Sequence, residues 1–218
     1  MTSAEAIQEL LASPELPSAV AQLSSILESE RQRRERFYEE ITPEMKAEFI
    51  NGEVIVHSPV TLNHLNASAN LLLLLRAYAR KKELGQVYAE KALVVLARND
   101  YEPNITFFRN EKAALFEGDQ LKFPAPDLAI EILSPSTEQR DRGIKFTDYA
   151  AHGVQEYWIV NTESRQVEQY RLEQGAYKLV VKSNSGDVES SVVKSFKIPV
   201  RAIFDNDLAL ETLKSFLQ

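Results

Sequence analysis

The chain has 218 residues, 44% hydrophobic and 26% charged, with 7 Gly and 9 Pro. That balance suits one globular domain with at most a short appendage, and excludes global disorder and collagen-like or low-complexity architecture. No cysteine is present, which removes disulfides, thiolate zinc sites, iron–sulfur clusters and cysteine nucleophiles, and the net charge of −7 argues against a generally basic nucleic-acid surface while leaving room for a local cleft that meets phosphate through a metal ion.

Residues 1–36 read as a helical N-terminal extension, and 37–218 as the main domain. Ala4 to Leu11 forms a short amphipathic helix, interrupted by Pro14 and Pro17. Ser18 opens a second helix to about Arg34, with Val20, Leu23 and Leu27 on one face. It ends in the basic run Arg31 to Arg36, a solvated helix end or a phosphate-contacting patch. Asn51-Gly52 between two apolar stretches predicts a tight hairpin. A long helix follows from Thr61 or Asn63 to about Glu83, with Leu62, Leu65, Ala69, Leu72, Leu73 and Ala77 as its apolar stripe. Arg80-Lys81-Lys82 near its end is a second candidate backbone contact. Strands are expected at Gln86–Ala89, Ala92–Leu96, Asn104–Phe108 and Asp127–Leu133. Ser136 with Gln139 predicts a capping box for one helix through Ala151, stopped by Gly153. Glu156–Val160, Gln166–Leu172 and Tyr177–Lys182 read as a meander. A last piece, Pro199–Phe204, leads to a helix near Leu208–Phe216. The order implies an α/β (α+β) domain, a central mixed sheet flanked by helices. No Gly-rich phosphate loop follows a strand, so a nucleotide-binding fold is disfavoured. The longest apolar runs fall well short of the ~20 residues of a membrane helix, and the N-terminus lacks the basic start of a signal peptide. The expected setting is cytoplasmic, with no membrane partner.

Chemistry concentrates in Pro126-Asp127-Leu128-Ala129-Ile130-Glu131-Ile132-Leu133. Strand alternation puts Leu128, Ile130 and Ile132 on one face and Asp127, Ala129 and Glu131 on the other. The two carboxylates then stand about 13 to 14 Å apart in Cα terms. Inner-face carboxylates are costly unless paired or bound to a cation. Asp141, Lys145 and Tyr149, four residues apart, can turn a lysine toward the strand end. Two acids and a lysine are the minimum set for metal-dependent phosphodiester cleavage. The competing reading is a buried Glu131–Lys145 ion pair with no chemistry. Ser134 has no histidine at recognisable spacing, and His57, His64 and His152 are too scattered for a zinc site.

Asn51-Gly52-Glu53, His64, the run Pro126 to Thr137, Asp141, Lys145, Tyr149, Gly153-Val154 and Glu156-Tyr157-Trp158 together resemble the Uma-type restriction endonuclease family, formerly domain of unknown function 820. The resemblance covers roughly Phe37 to Phe204. It implies a restriction-endonuclease-like fold of the PD-(D/E)xK type and magnesium- or manganese-dependent endonuclease cleavage of DNA, double-stranded by expectation, by a homodimer. By position, Glu131 matches the second acidic residue. Leu133 stands where the usual lysine would, and Lys145 supplies that lysine from the next helix. Asn104, in Glu102-Pro103-Asn104-Ile105, stands where the first metal-binding aspartate is expected. Asparagine ligates through a neutral carbonyl and lacks the charge that holds magnesium. Either the site is rebuilt, with Asp127 or Glu53 joining Glu131 and Lys145, or the chain is a catalytically impaired nuclease fold that serves as a nucleic-acid-binding or protein-interaction module. His64 is a candidate phosphate contact or support for the ligands, and Asp141 a candidate partner of Lys145.

Overall fold

A computed structural model describes residues 3–42 and 44–218. Two compact units make up the chain, Met1–Val56 and His57–Gln218.

The first unit holds helices α1 (Ser3–Leu11) and α2 (Leu16–Glu40) and strands β1 (Ala47–Ile50) and β2 (Glu53–Val56). α2 runs further than the apolar spacing suggests, because Phe37 gives its last turns a buried anchor on Phe49, ring centroids 5.9 Å apart. β1 and β2 pair antiparallel around Asn51 and Gly52, both at positive φ, as a two-residue hairpin requires. Gly52 is needed twice over. A Cβ there would meet the Arg33 guanidinium at 2.6 Å, and Arg33 Nε donates to the Gly52 carbonyl at 2.8 Å.

The second unit opens with α3 (Leu62–Lys81), capped by the Thr61 hydroxyl, which accepts from the His64 amide. β3 (Gly85–Ala89), β4 (Leu93–Val95), β5 (Asp100–Tyr101) and β6 (Ile105–Arg109) follow. Then come α4 (Asn110–Ala113), β7 (Lys122–Phe123), β8 (Leu128–Ile132), α5 (Glu138–Arg142) and α6 (Ile144–Ala151). The chain continues through β9 (Glu156–Asn161), β10 (Gln166–Glu173), β11 (Ala176–Ser183), β12 (Asp187–Glu189) and β13 (Lys197–Pro199) to α7 (Asn206–Leu217). The main sheet has the order β11-β10-β9-β8-β6-β3. Its β8–β9 pair is parallel and its other pairs are antiparallel, which makes it the mixed sheet expected. One face, carrying Leu128, Ile130 and Ile132, packs on α3 and α7. The opposite face meets α6, where Phe146 and Tyr149 contact Tyr157 edge-on.

Three expectations change. The buried stripe of α3 is His64, Ala67, Ser68, Leu71, Leu74, Leu75 and Tyr78, whereas Leu62, Leu65 and Leu73 are exposed. Five successive leucines permit either phase, and Tyr78 decides it by packing against Phe196 and Phe216. The single helix expected from Ser136 is two, because the chain breaks at Gly143. A Cβ at Gly143 would stand 2.7 Å from the Gln139 carbonyl oxygen. The capping box is not formed. Helix α5 starts after Thr137, whose hydroxyl instead accepts from the Ser134 amide at 3.3 Å. The last piece, Pro199–Phe204, holds a 3-10 turn, Val200–Ile203, and leads into α7 as expected.

Candidate active site

Strand register assembles the site. β6 and β8 pair Ile105 with Ile130 and Thr106 with Ala129. One step further along that register, Asn104 falls opposite Glu131. The Asn104 amide N–H points at Glu131 Oε2, 3.4 Å away, a long and weak bond. The Asn104 side chain is committed on both ends. Its Oδ1 accepts from the Ile132 amide at 2.8 Å, and its Nδ2 lies 3.2 Å from His64 Nε2. With Oδ1 held by an N–H, Nδ2 is the group facing His64. His64 Nε2 therefore accepts, and the ring proton sits on Nδ1.

Helix α6 supplies the cation. Lys145 Nζ is 2.9 Å from Glu131 Oε1 and 3.1 Å from Asp141 Oδ1. It also lies over the Tyr101 ring, 5.6 Å from the centroid. Tyr149 donates to Glu131 Oε1 at 3.0 Å. Glu131, Asp141 and Lys145 are all at least 97% buried, and their formal charges sum to −1. Such a triad survives burial because each charge has a close partner of opposite sign. The break at Gly143 leaves Asp141 on α5 and Lys145 on α6, yet still within bonding distance. Beside this cluster, Asp148 Oδ2 accepts from Tyr101 Oη and Asn99 Nδ2, both at 2.8 Å, bracing α6 against the segment that leads into β5.

His64 also borders a cleft of about 530 Å³. Thr61 and Asn63 from the start of α3, Ser134 and Ser136 after β8, and Thr162 and Glu163 after β9 line its other walls. It opens at the carboxyl ends of the parallel strands β8 and β9, where ligands commonly bind in α/β sheets.

Of the residues expected from sequence, Asn104, Glu131, Asp141, Lys145 and His64 are brought together. Asp127 is placed elsewhere. It stands four residues up β8 from Glu131, about 13 Å at strand rise. Its carboxylate accepts from the Arg109 amide at 2.8 Å and pairs with Lys112 at 3.1 Å. Those bonds tie the start of β8 to α4. Glu53 opens β2 in the Met1–Val56 unit and is exposed. Tyr149 joins the cluster through its hydroxyl on Glu131, and its spacing of one helical turn from Lys145 is the signal in the sequence that points to it.

The donor set does not fit a divalent cation. Magnesium needs near-octahedral oxygen ligands and compensating negative charge. Glu131 is already matched by Lys145, and Asn104 Oδ1 is turned to a backbone N–H. Among the described residues, no three Asp, Glu or His side chains converge as a metal-holding group.

A family model named Uma2 and described as "Putative restriction endonuclease" matches residues 33–201. Among solved structures, the chain is similar to one described as a "putative nuclease belonging to DUF820" from Anabaena variabilis ATCC 29413. The TM-score is 0.67 at 19% identity, over 81% of this chain and 96% of that one. That likeness establishes a shared fold. No curated protein matches. The family model spans well over half of the sequence and includes every residue of the Glu131 cluster, so the chain belongs to the Uma2 family.

Proposed function

We propose that this chain is a DNA-directed member of its nuclease family whose hydrolytic centre, built on Glu131 and Lys145, is impaired by Asn104. One observation carries the reading. Both ends of the Asn104 amide are engaged, Oδ1 by the Ile132 N–H and Nδ2 at His64 Nε2. The position opposite Glu131 therefore presents an N–H donor where a second carboxylate would supply charge for a dication. The 2.9 Å contact between Glu131 and Lys145 supports reading them as the acid and the lysine of that centre, with no partner acid at position 104. Double-stranded DNA is the partner the family membership supports, met through local contacts rather than the net charge of −7. A cytoplasmic setting is compatible with the cysteine-free sequence, and no helix among the described residues is long and apolar enough to cross a membrane.

The test is plasmid nicking with magnesium and with manganese by the native chain, Asn104→Asp, Glu131→Ala and the double variant. Native protein is expected to bind DNA in a salt-dependent manner and to nick at least ~100-fold more slowly than Asn104→Asp, the scale of one lost transition-state charge contact. The gain should vanish when Glu131→Ala is added. Native nicking as fast as that of Asn104→Asp would overturn the impairment. Absence of DNA binding at low salt by all four proteins would overturn the choice of partner.

A further inference from the structure

Two clefts adjoin Asn104, and their charges differ. The larger one, bordered by His64, carries two carboxylates, Glu138 and Glu163, and no lysine or arginine, the wrong sign for a phosphate. The second, of about 410 Å³, lies at the β3 edge of the main sheet. There Arg76 of α3 and Lys91 after β3 set two cations against one carboxylate, Glu90. Arg76 is exposed and makes no ion pair among the described residues. Leu72, Tyr88 and Phe123 form the apolar wall, the two rings 5.6 Å apart. Cations beside aromatic rings suit a nucleotide, because the cations meet its phosphate while the rings stack its base.

This cleft is tied to the Glu131 cluster through the sheet. Register sets Tyr88 opposite Thr106 and Thr106 opposite Ala129, two residues along β8 from Glu131. Opposed residues share a face, so Tyr88 stands on the face that carries Glu131. The chain then turns through Glu90 and Lys91, at φ 44° and 50°. Among the described residues they are the one consecutive non-glycine pair in the left-handed region. Such strain persists where the surroundings fix it, and it clusters at ligand sites. Here the Asn104 carbonyl fixes it, accepting from the Glu90 amide at 3.1 Å. We propose that this cleft binds one unpaired nucleotide of DNA, its phosphate on Arg76 and Lys91 and its base against Tyr88 and Phe123. A space of about 410 Å³ suits a single nucleotide, and a base inside a duplex cannot offer its face to a ring. This site presupposes the DNA-directed reading and narrows its substrate, from plain duplex to duplex with a nucleotide out of its stack.

Fluorescence anisotropy of the full chain, at one salt concentration, compares a blunt duplex with the same duplex carrying a single extra nucleotide as a bulge. The bulged duplex is expected to bind at least ~10-fold more tightly, the scale of one base stacked on an aromatic ring. Arg76→Ala, at an exposed helical position, should weaken the bulged duplex to the level of the blunt one, with the urea-unfolding midpoint unchanged. Tyr88→Leu should do the same, and if that variant fails to fold, Arg76→Ala decides alone. Lys178→Ala, which removes an exposed cation on β11 at the opposite edge of the sheet, should keep the preference. Equal binding of both duplexes by the native chain, or a preference that survives Arg76→Ala, would overturn the cleft and leave the DNA reading standing. Absence of binding to either duplex would overturn both.

Discussion

Two buried glutamates on neighbouring parallel strands are treated in opposite ways. Glu156, at the start of β9, is fully buried and is met by neutral donors. Oε1 accepts from Trp158 Nε1 and Gln169 Nε2. Oε2 accepts from Ser190 Oγ, from Ser191 N and Oγ, and from the Val192 amide. Six bonds saturate the carboxylate and fasten the 190–192 turn to the sheet. Glu131, toward the end of β8, is met by a cation and a phenol on Oε1 and by a long backbone contact on Oε2. Saturation by fixed neutral dipoles makes a structural anchor. A lysine and a phenol on one oxygen instead place a charged partner at the carboxylate, the arrangement on which the proposed hydrolytic centre is built. Burial is the same in both, so burial alone does not separate function from architecture.

The comparison breaks most visibly if the anchor is removed. Glu156→Ala orphans several buried donors, each costing ~1–3 kcal/mol. We expect a loss of about 4 kcal/mol in urea unfolding. A loss below about 1 kcal/mol would mean that water or repacking replaces the carboxylate and that Glu156 is no anchor.

Lys145→Met tests the other side. It leaves Glu131 and Asp141 buried without their cation, at a cost of about 3–5 kcal/mol. Adding Glu131→Gln should recover part of it, with a coupling of at least ~1 kcal/mol in the double-mutant cycle. Additive effects would show that the two charges do not depend on each other. Asn104→Asp should cost less, about 1–2 kcal/mol without metal, because it sets a second negative charge beside Glu131. The new oxygen would also face His64 Nε2, which would have to carry a proton. Manganese should restore that loss in thermal melting, since a ligand that binds only the folded state stabilises it. The native chain should show no such response. An equal metal-induced shift in both proteins would refute the misfit of the native donor set.

Much of this was legible in the sequence, for physical reasons. The Asn51-Gly52 turn, the two faces of β8 and the approach of Lys145 to Asp141 follow from short-range rules of φ, pleat and residue spacing. The phase of α3 was not legible, because a run of leucines satisfies two stripes equally and the choice lies in distant Phe196 and Phe216. The break at Gly143 depends on a single close approach to Gln139. Asp127 looked like a ligand because it shares a strand face with Glu131. Its commitment to Arg109 and Lys112 comes from β6 and α4, a pairing that periodicity does not reveal.

A third carboxylate sharpens the comparison at the small end of the scale. Glu168 on β10 has cationic partners like Glu131 and many bonds like Glu156. It accepts from Arg142 Nη1 at 2.8 Å and Nη2 at 3.1 Å and from Tyr170 Oη, and it pairs with Lys182 at 3.1 Å. Burial pushes its carboxyl up, but the bonds from Arg142, Tyr170 and Lys182 outweigh that and hold it down at about 2. A depressed folded-state value means that the unfolded chain takes up the proton first. The contribution to stability is therefore complete above about 4.5, the ordinary value, and drains away as the pH falls toward 2. The partners Arg142 and Lys182 are each at least one-third exposed on their side chains, so solvent screens the network and the effect stays modest. Glu168→Gln should flatten the acid limb of the stability–pH curve below 4.5 and leave nicking by Asn104→Asp unchanged. Were the acid limb to keep its full slope, the protons would be taken up elsewhere, and Glu168 would hold a charge that the fold does not use.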